Sequence, residues 1–223
     1  MSRVLYNSKL FAEATGAYVL VFAGCGAIVV DQLLPGRITH VGIALCFGLA
    51  VGIMIAALGH ISGAHFNPAV TLALAAGRHF PMRQVLPYGL AQLAGALLAA
   101  LTLRGLFGTE TALGVTQPAG PTGQAFALEM LLTAILVFVI ASVALHPHAI
   151  PALAAPAIGG TITLEALFAG PVSGASMNPA RSLAPALISG QWQHLWIYLT
   201  APFIGGLIGM AVYQWQRRLE HGS

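Results

Sequence analysis

Six stretches of this chain are long enough, and apolar enough, to cross the ~30 Å hydrocarbon core of a bilayer, which takes about 20 residues of helix. They run roughly over Lys9 to Val30, Val41 to Leu58, Val85 to Phe107, Phe126 to Leu145, Pro151 to Ala169 and His194 to Trp215. Only 7% of the residues are charged, where a soluble domain carries about 25%. So few charges cannot clothe a water-facing surface, and they leave no basic footprint for nucleic acid. The connectors LPGRITH, FGTETALGVTQPAGPTG and HPHAIP carry turn signals. The chain therefore reads as an all-α, multi-pass membrane protein. Its opening MSRVLYNSKLFAEATG does not read as a signal peptide, because it lacks the small-residue cleavage site and the apolar run after it is long enough to remain as a span.

Two further apolar pieces are too short to cross. Asn67 to Ala76 and Asn178 to Ile188 would each reach about 15 Å at 1.5 Å per residue. Both open Asn-Pro-Ala, in which Asn suits the N-cap and Pro the first helical position. Each is expected to be a half-helix starting near the bilayer midplane. The pieces also repeat: Ser62-Gly63-Ala64 and Asn67-Pro68-Ala69 return as Ser173-Gly174-Ala175 and Asn178-Pro179-Ala180, 111 residues later. Glu13, in AEATGAYVLVF, pairs with Glu129, in ALEMLLTAILVF. Three spans per half is an odd number, so the second half must be inverted, and inverted repeats with broken helices place a solute pathway at their interface.

A single channel domain, 1–223, is expected, with repeats at about 1–107 and 122–223 joined by a loop at about 108–121. With both termini cytoplasmic, Arg3, Lys9, Arg78, Arg83, Arg217 and Arg218 lie inside against Arg37 and Arg104 outside, the excess expected of an inner face. Cys25 and Cys46 lie within apolar segments and read as packing residues. His60, His65, His146 and His148 read as solvated or packed at membrane edges, with a metal or pH gate as the other reading.

On these residues, GHISGAHFNPAV and GASMNPARS above all, the chain resembles the aquaporin family, the major intrinsic proteins, over essentially its whole length. The resemblance implies a right-handed bundle of six transmembrane helices with two re-entrant half-helices in an inverted repeat, usually a homotetramer in membrane lipid with one pore per subunit. Irregular backbone at membrane depth is tolerated where it lines a water-filled cavity. The carbonyls of His60 to Phe66 and Gly170 to Met177 are accordingly expected to form an acceptor ladder. The amides of Asn67 and Asn178 would donate to one central water, and Glu13 and Glu129 would accept hydrogen bonds from the re-entrant loops.

The family's narrowest point maps onto Phe47, Ala166, Ala175 and Arg181. Arg181 is in any case a functional-site hypothesis, as an intramembrane charge. Water-selective members usually have His at the Ala166 place, so Phe, Ala, Ala and Arg imply a wider, less polar filter. Ser182, Ala186 and Tyr198-Leu199 depart from the glycerol-facilitator branch. FAGPVSGASMNPARSL and LVFAGCGAIVV resemble the nodulin-like intrinsic proteins of plants and their bacterial relatives, which implies passage of water, glycerol and metalloid hydroxides such as arsenous or boric acid. The resemblance also implies a bacterial inner membrane as the setting. A mainly water-selective pore is the nearer alternative, and an ion-coupled secondary transporter the more distant one. No cofactor is expected, and no Ser/His, paired-aspartate or metal-ligand constellation suggests an enzyme. Glu165 has three open readings: an acceptor for loop backbone or for the surroundings of Arg181, a vestibule lining, or a protonated, enclosed side chain.

Overall fold

The computed structural model describes residues 3–221. Met1, Ser2, Gly222 and Ser223, which fall in the expected domain, and the Arg3 side chain lie outside the described residues. The six long helices are α1 (Arg3–Leu33), α2 (Thr39–Ser62), α4 (Val85–Phe107), α5 (Thr122–Ala144), α6 (Ala154–Ser173) and α8 (Leu195–His221). All six are long and apolar enough to span a membrane. Between them lie the short helices α3 (Pro68–Ala76) and α7 (Pro179–Ser189), and single 3-10 turns open the approaches to α4 and α6. Among the described residues there is no strand.

Lipid offers the chain no hydrophobic driving force for helix association, so the helices are held by close backbone approach. A methyl group on Gly95 of α4 would lie 1.9 Å from the Ala14 carbonyl oxygen of α1. On Gly205 and Gly209 of α8 it would lie 2.1 and 2.2 Å from the Met130 and Ala134 carbonyl oxygens of α5. The two halves thus use the same device at matching crossings. Outward-facing Leu, Ile and Phe side chains such as Phe11, Leu49, Ile53, Leu90 and Phe168 remain exposed, as a lipid-facing surface requires.

The half-helices start as the sequence suggests. Asn67 Oδ1 accepts from the Ala69 N–H at 2.9 Å, and Asn178 Oδ1 accepts from the N–H groups of Ala180 at 3.0 Å and Arg181 at 3.3 Å. Proline follows each cap at the first helical position. The loops that lead into them begin at Gly63 (φ 91°) and Gly174 (φ 90°), left-handed positions that end α2 and α6. Glycine takes that conformation without a side-chain clash.

One expectation about extent is corrected here. The last part of the fifth span reads as ending at Ala169, yet α6 continues to Ser173 through Pro171. Proline frees the carbonyl four residues earlier. That carbonyl, Leu167, accepts a hydrogen bond from His40 Nε2 at 2.8 Å, which removes the cost of continuing the helix.

Candidate functional site

Two buried carboxyl groups hold the re-entrant loops by the same pattern of bonds. Glu13 Oε1 accepts from Ser62 Oγ at 2.6 Å and the His65 N–H at 3.0 Å, while Oε2 accepts from the Phe66 N–H at 2.8 Å. Glu129 Oε1 accepts from Ser173 Oγ at 2.8 Å and the Ser176 N–H at 2.9 Å, while Oε2 accepts from the Met177 N–H at 2.8 Å. Both glutamates are fully buried. Buried amides with no other partner demand such acceptors. The loops need them for a second reason: Ala64, Phe66, Ala175 and Met177 all have positive φ, between 40° and 54°. Backbone of that kind persists only when its surroundings over-determine it.

Four residues that support this bracket are not evident in the sequence reading. Tyr88 Oη donates to the Ser62 carbonyl at 3.0 Å, and Tyr198 Oη donates to the Ser173 carbonyl at 2.5 Å. The tyrosines are 110 residues apart, one off the spacing of the motifs, and that near-match was the signal that could have found them. Gln92 Nε2 adds bonds to Glu13 Oε2 at 2.7 Å and Thr71 Oγ1 at 3.0 Å. Gly114 is the fourth. Its carbonyl accepts from Arg181 Nη1 at 2.7 Å, tying the loop between α4 and α5 to the intramembrane charge.

The asparagines are joined across the junction of the half-helices. Asn67 Nδ2 donates to the Met177 carbonyl at 2.7 Å, and Asn178 Nδ2 donates to the Phe66 carbonyl at 2.9 Å. Each amide has two N–H donors, so one on each remains for another acceptor. The acceptor ladder is shorter than expected. Of the expected carbonyls, Gly170 bonds within the end of α6, Ser62 and Ser173 take the tyrosines, Val172 accepts from the Ala119 N–H, and Phe66 and Met177 take the asparagines. Among the described residues, the carbonyls of Gly63, Ala64 and His65, and of Gly174, Ala175 and Ser176, have no protein donor.

A cavity of about 1290 Å³ leads to this junction. Its lining includes Lys9, His79 and Pro147, Asn67 and Asn178 at the junction, and Phe47, Ala175 and Arg181. The Arg181 guanidinium carbon sits 4.9 Å from the centroid of the Phe47 ring, a cation–π arrangement. Arg181 is 2% exposed, and its Nε has no protein acceptor. Three of the four expected filter residues therefore border one space. Ala166 shares their apolar cluster but does not line the cavity.

Matched against models of known families, residues 1–213 fit the major intrinsic protein model. The chain belongs to the major intrinsic protein family. It is 51% identical over 211 residues to Aquaporin NIP1-1 of Oryza sativa subsp. japonica, covering 94% of this chain and 74% of that protein. It is 48% identical to Nodulin-26 of Glycine max, covering 94% of this chain and 78% of that one. The aquaglyceroporin structure from Plasmodium falciparum matches with a TM-score of 0.84 at 26% identity, over 93% of this chain and 95% of the other. Members of the family are membrane channels for small solutes and not enzymes, and this chain is an integral, multi-pass member.

The remaining polar groups of this family member sort by place. His65 donates or accepts at Thr71 Oγ1 through Nδ1 at 3.1 Å, with its ring against Phe80 and Tyr88. His60 is exposed on the cavity lining. His146 contacts Glu220 and Arg217 at the end of α8, and its ring packs edge-on to His148. Glu165 is 1% exposed, neither of its oxygens has a partner among the described residues, and it does not line the cavity. Of its three readings, the enclosed side chain is the one this geometry matches.

Proposed function

We propose that this chain is a passive pore for water, glycerol and metalloid hydroxides such as arsenous or boric acid, and that it excludes ions and protons. The observation that carries the reading is the part of the cavity lining around Arg181. There a buried arginine faces a phenylalanine ring, and the third contributor, Ala175, is a methyl group. A guanidinium donates five hydrogen bonds and accepts none, so Arg181 holds a hydroxyl or water oxygen while repelling cations. Phe47 covers the carbon face of a polyol. Ala175 leaves room that a larger side chain would fill, and Ala166 stands where water-selective members usually have His.

In this proposal the pathway runs along two short acceptor rows, Gly63 to His65 and Gly174 to Ser176. At their meeting point the second N–H of Asn67 and of Asn178 donates to one water. Pro68, Ala69, Pro179 and Ala180 form the first turns that aim both half-helix N-termini, with their partial positive charge, at that water. A water with both lone pairs engaged donates outward in both directions, and the chain of proton transfers is broken there. Glu13 and Glu129 are scaffold. The unit is a single channel domain of two repeats, about 1–107 and 122–223, joined at about 108–121, and assembled as a homotetramer in a bacterial inner membrane. Its ends are cytoplasmic, by the six-to-two excess of basic residues.

The name aquaglyceroporin borne by the Plasmodium falciparum structure supports a pore wider than water requires. A mainly water-selective pore is the second reading. It is favoured by the absence of Ala166 from the cavity lining, because a small side chain there widens the lumen only if it faces it. Ala166→His separates the two. If position 166 borders the lumen, the imidazole lowers glycerol flux about tenfold or more, an added barrier of about 1.4 kcal/mol, and water flux by less. An unchanged glycerol-to-water ratio would count against the wide filter.

A further inference from the structure

We propose that Gly24, on α1 and outside the four filter positions, sets the width of the pore by giving the Phe47 ring a socket; this rests on the filter reading above. A methyl group on Gly24 would lie 2.2, 2.3 and 2.5 Å from Cε1, Cδ1 and Cζ of Phe47. The near-equal distances to three adjacent ring atoms set that methyl group over one face of the ring, so the ring occupies the space that any side chain at position 24 would fill. Ordinary contact begins near 3.4 Å, so a single added methyl group drives the ring back by about 1 Å.

The direction of that retreat is fixed by what lies on the other sides. The Arg181 guanidinium stands over the ring at 4.9 Å from its centroid, and both groups border the cavity. Helix α2 cannot carry Phe47 away by shifting as a body, because its next residue is seated against α6. A methyl group on Gly48 would lie 1.8 Å from Thr163 Oγ1 and 2.4 Å from the Gly159 carbonyl oxygen. One on Gly52 would already touch the Ala155 carbonyl oxygen at 3.2 Å. With α2 held between α1 and α6, the side chain must give, and it gives toward Arg181 and the lumen.

The same helix repeats the device one level lower. A methyl group on Gly16 would lie 2.0 Å from the Phe66 ring, and the Phe66 carbonyl is the acceptor for Asn178 Nδ2. Helix α1 thus seats one aromatic ring at the filter and another at the central junction. Gly24 touches no solute. It is a positioning residue whose lack of a side chain decides how far Phe47 stands back from Arg181.

The test is a double-mutant comparison in proteoliposomes, reading glycerol and water flux per channel together with the melting temperature. Gly24→Ala is expected to lower the glycerol-to-water flux ratio about tenfold. In a Phe47→Leu background, which removes the ring, the same substitution is expected to leave the ratio of that background unchanged. A folded Gly24→Ala channel with the wild-type ratio overturns the proposal, and so does an equal loss in both backgrounds. Should Gly24→Ala alone fail to fold, a folded Gly24→Ala/Phe47→Leu channel supports the contact, and failure of both overturns it. Absence of glycerol flux in the wild type sinks the wide-filter reading instead. In that event Gly24→Ala is read on unit water permeability, where the same loss, abolished by Phe47→Leu, is expected.

Discussion

Glu129→Ala is expected to abolish accumulation of folded channel. The carboxyl group accepts from Ser173 Oγ and from the N–H groups of Ser176 and Met177, all buried. Removing it leaves three donors without partners, at about 1 to 3 kcal/mol each. It also releases a loop held at positive φ through Gly174, Ala175 and Met177. The sum is comparable to the whole stability of an ordinary domain, about 5–15 kcal/mol. Size-exclusion profiles of detergent-solubilised protein and its melting temperature give the readout. Glu129→Gln keeps the volume and one acceptor, so it is expected to fold with a lowered melting temperature. Normal accumulation and melting of the alanine variant would show that the bracket is dispensable.

Arg181→Ala is expected to produce the largest functional change, a gain of cation conductance. A unit charge about 4 Å from a passing cation, at an effective dielectric of about 20, raises the barrier by about 4 kcal/mol. Loss of that term corresponds to an increase on the order of a thousandfold. The substitution also removes the bond to the Gly114 carbonyl and the group standing over Phe47, so the lining there widens as well as losing its charge. Planar-bilayer recordings, or dissipation of an imposed cation gradient in proteoliposomes, measure it. A variant as tight to cations as the wild type would place the ion barrier at the asparagine junction instead.

The six spans and two half-helices are legible in the sequence because lipid imposes a simple pattern, about 20 apolar residues or a marked interruption. Helix ends are less legible, since hydropathy marks the hydrocarbon boundary and not where hydrogen bonding stops. Helix α2 runs through Gly59, His60 and Ser62 until Gly63 turns left-handed, although GHISG looks like loop. Likewise Pro171 reads as a break, and only His40, far away in sequence, shows why it is not.

At the candidate site, Asn67 and Asn178 could be picked out from the repeated Asn-Pro-Ala, Arg181 as a charge at membrane depth, and Glu13 and Glu129 from their pairing in the repeat and the family resemblance. The partners themselves were less visible. Tyr88 and Tyr198 look like ordinary interfacial aromatics, and Gln92 has no counterpart, since Pro202 stands 110 residues on. Gly24 is invisible to any pattern of chemistry, because its contribution is the volume it does not occupy.

Stopped-flow light scattering on wild-type proteoliposomes, with water, glycerol and arsenous acid compared side by side and no ion gradient, tests the central claim most directly. The expected result is channel-dependent flux of all three, non-saturating in solute and unchanged when proton or sodium gradients are imposed. Flux of water alone, or solute flux that requires an ion gradient, would contradict it.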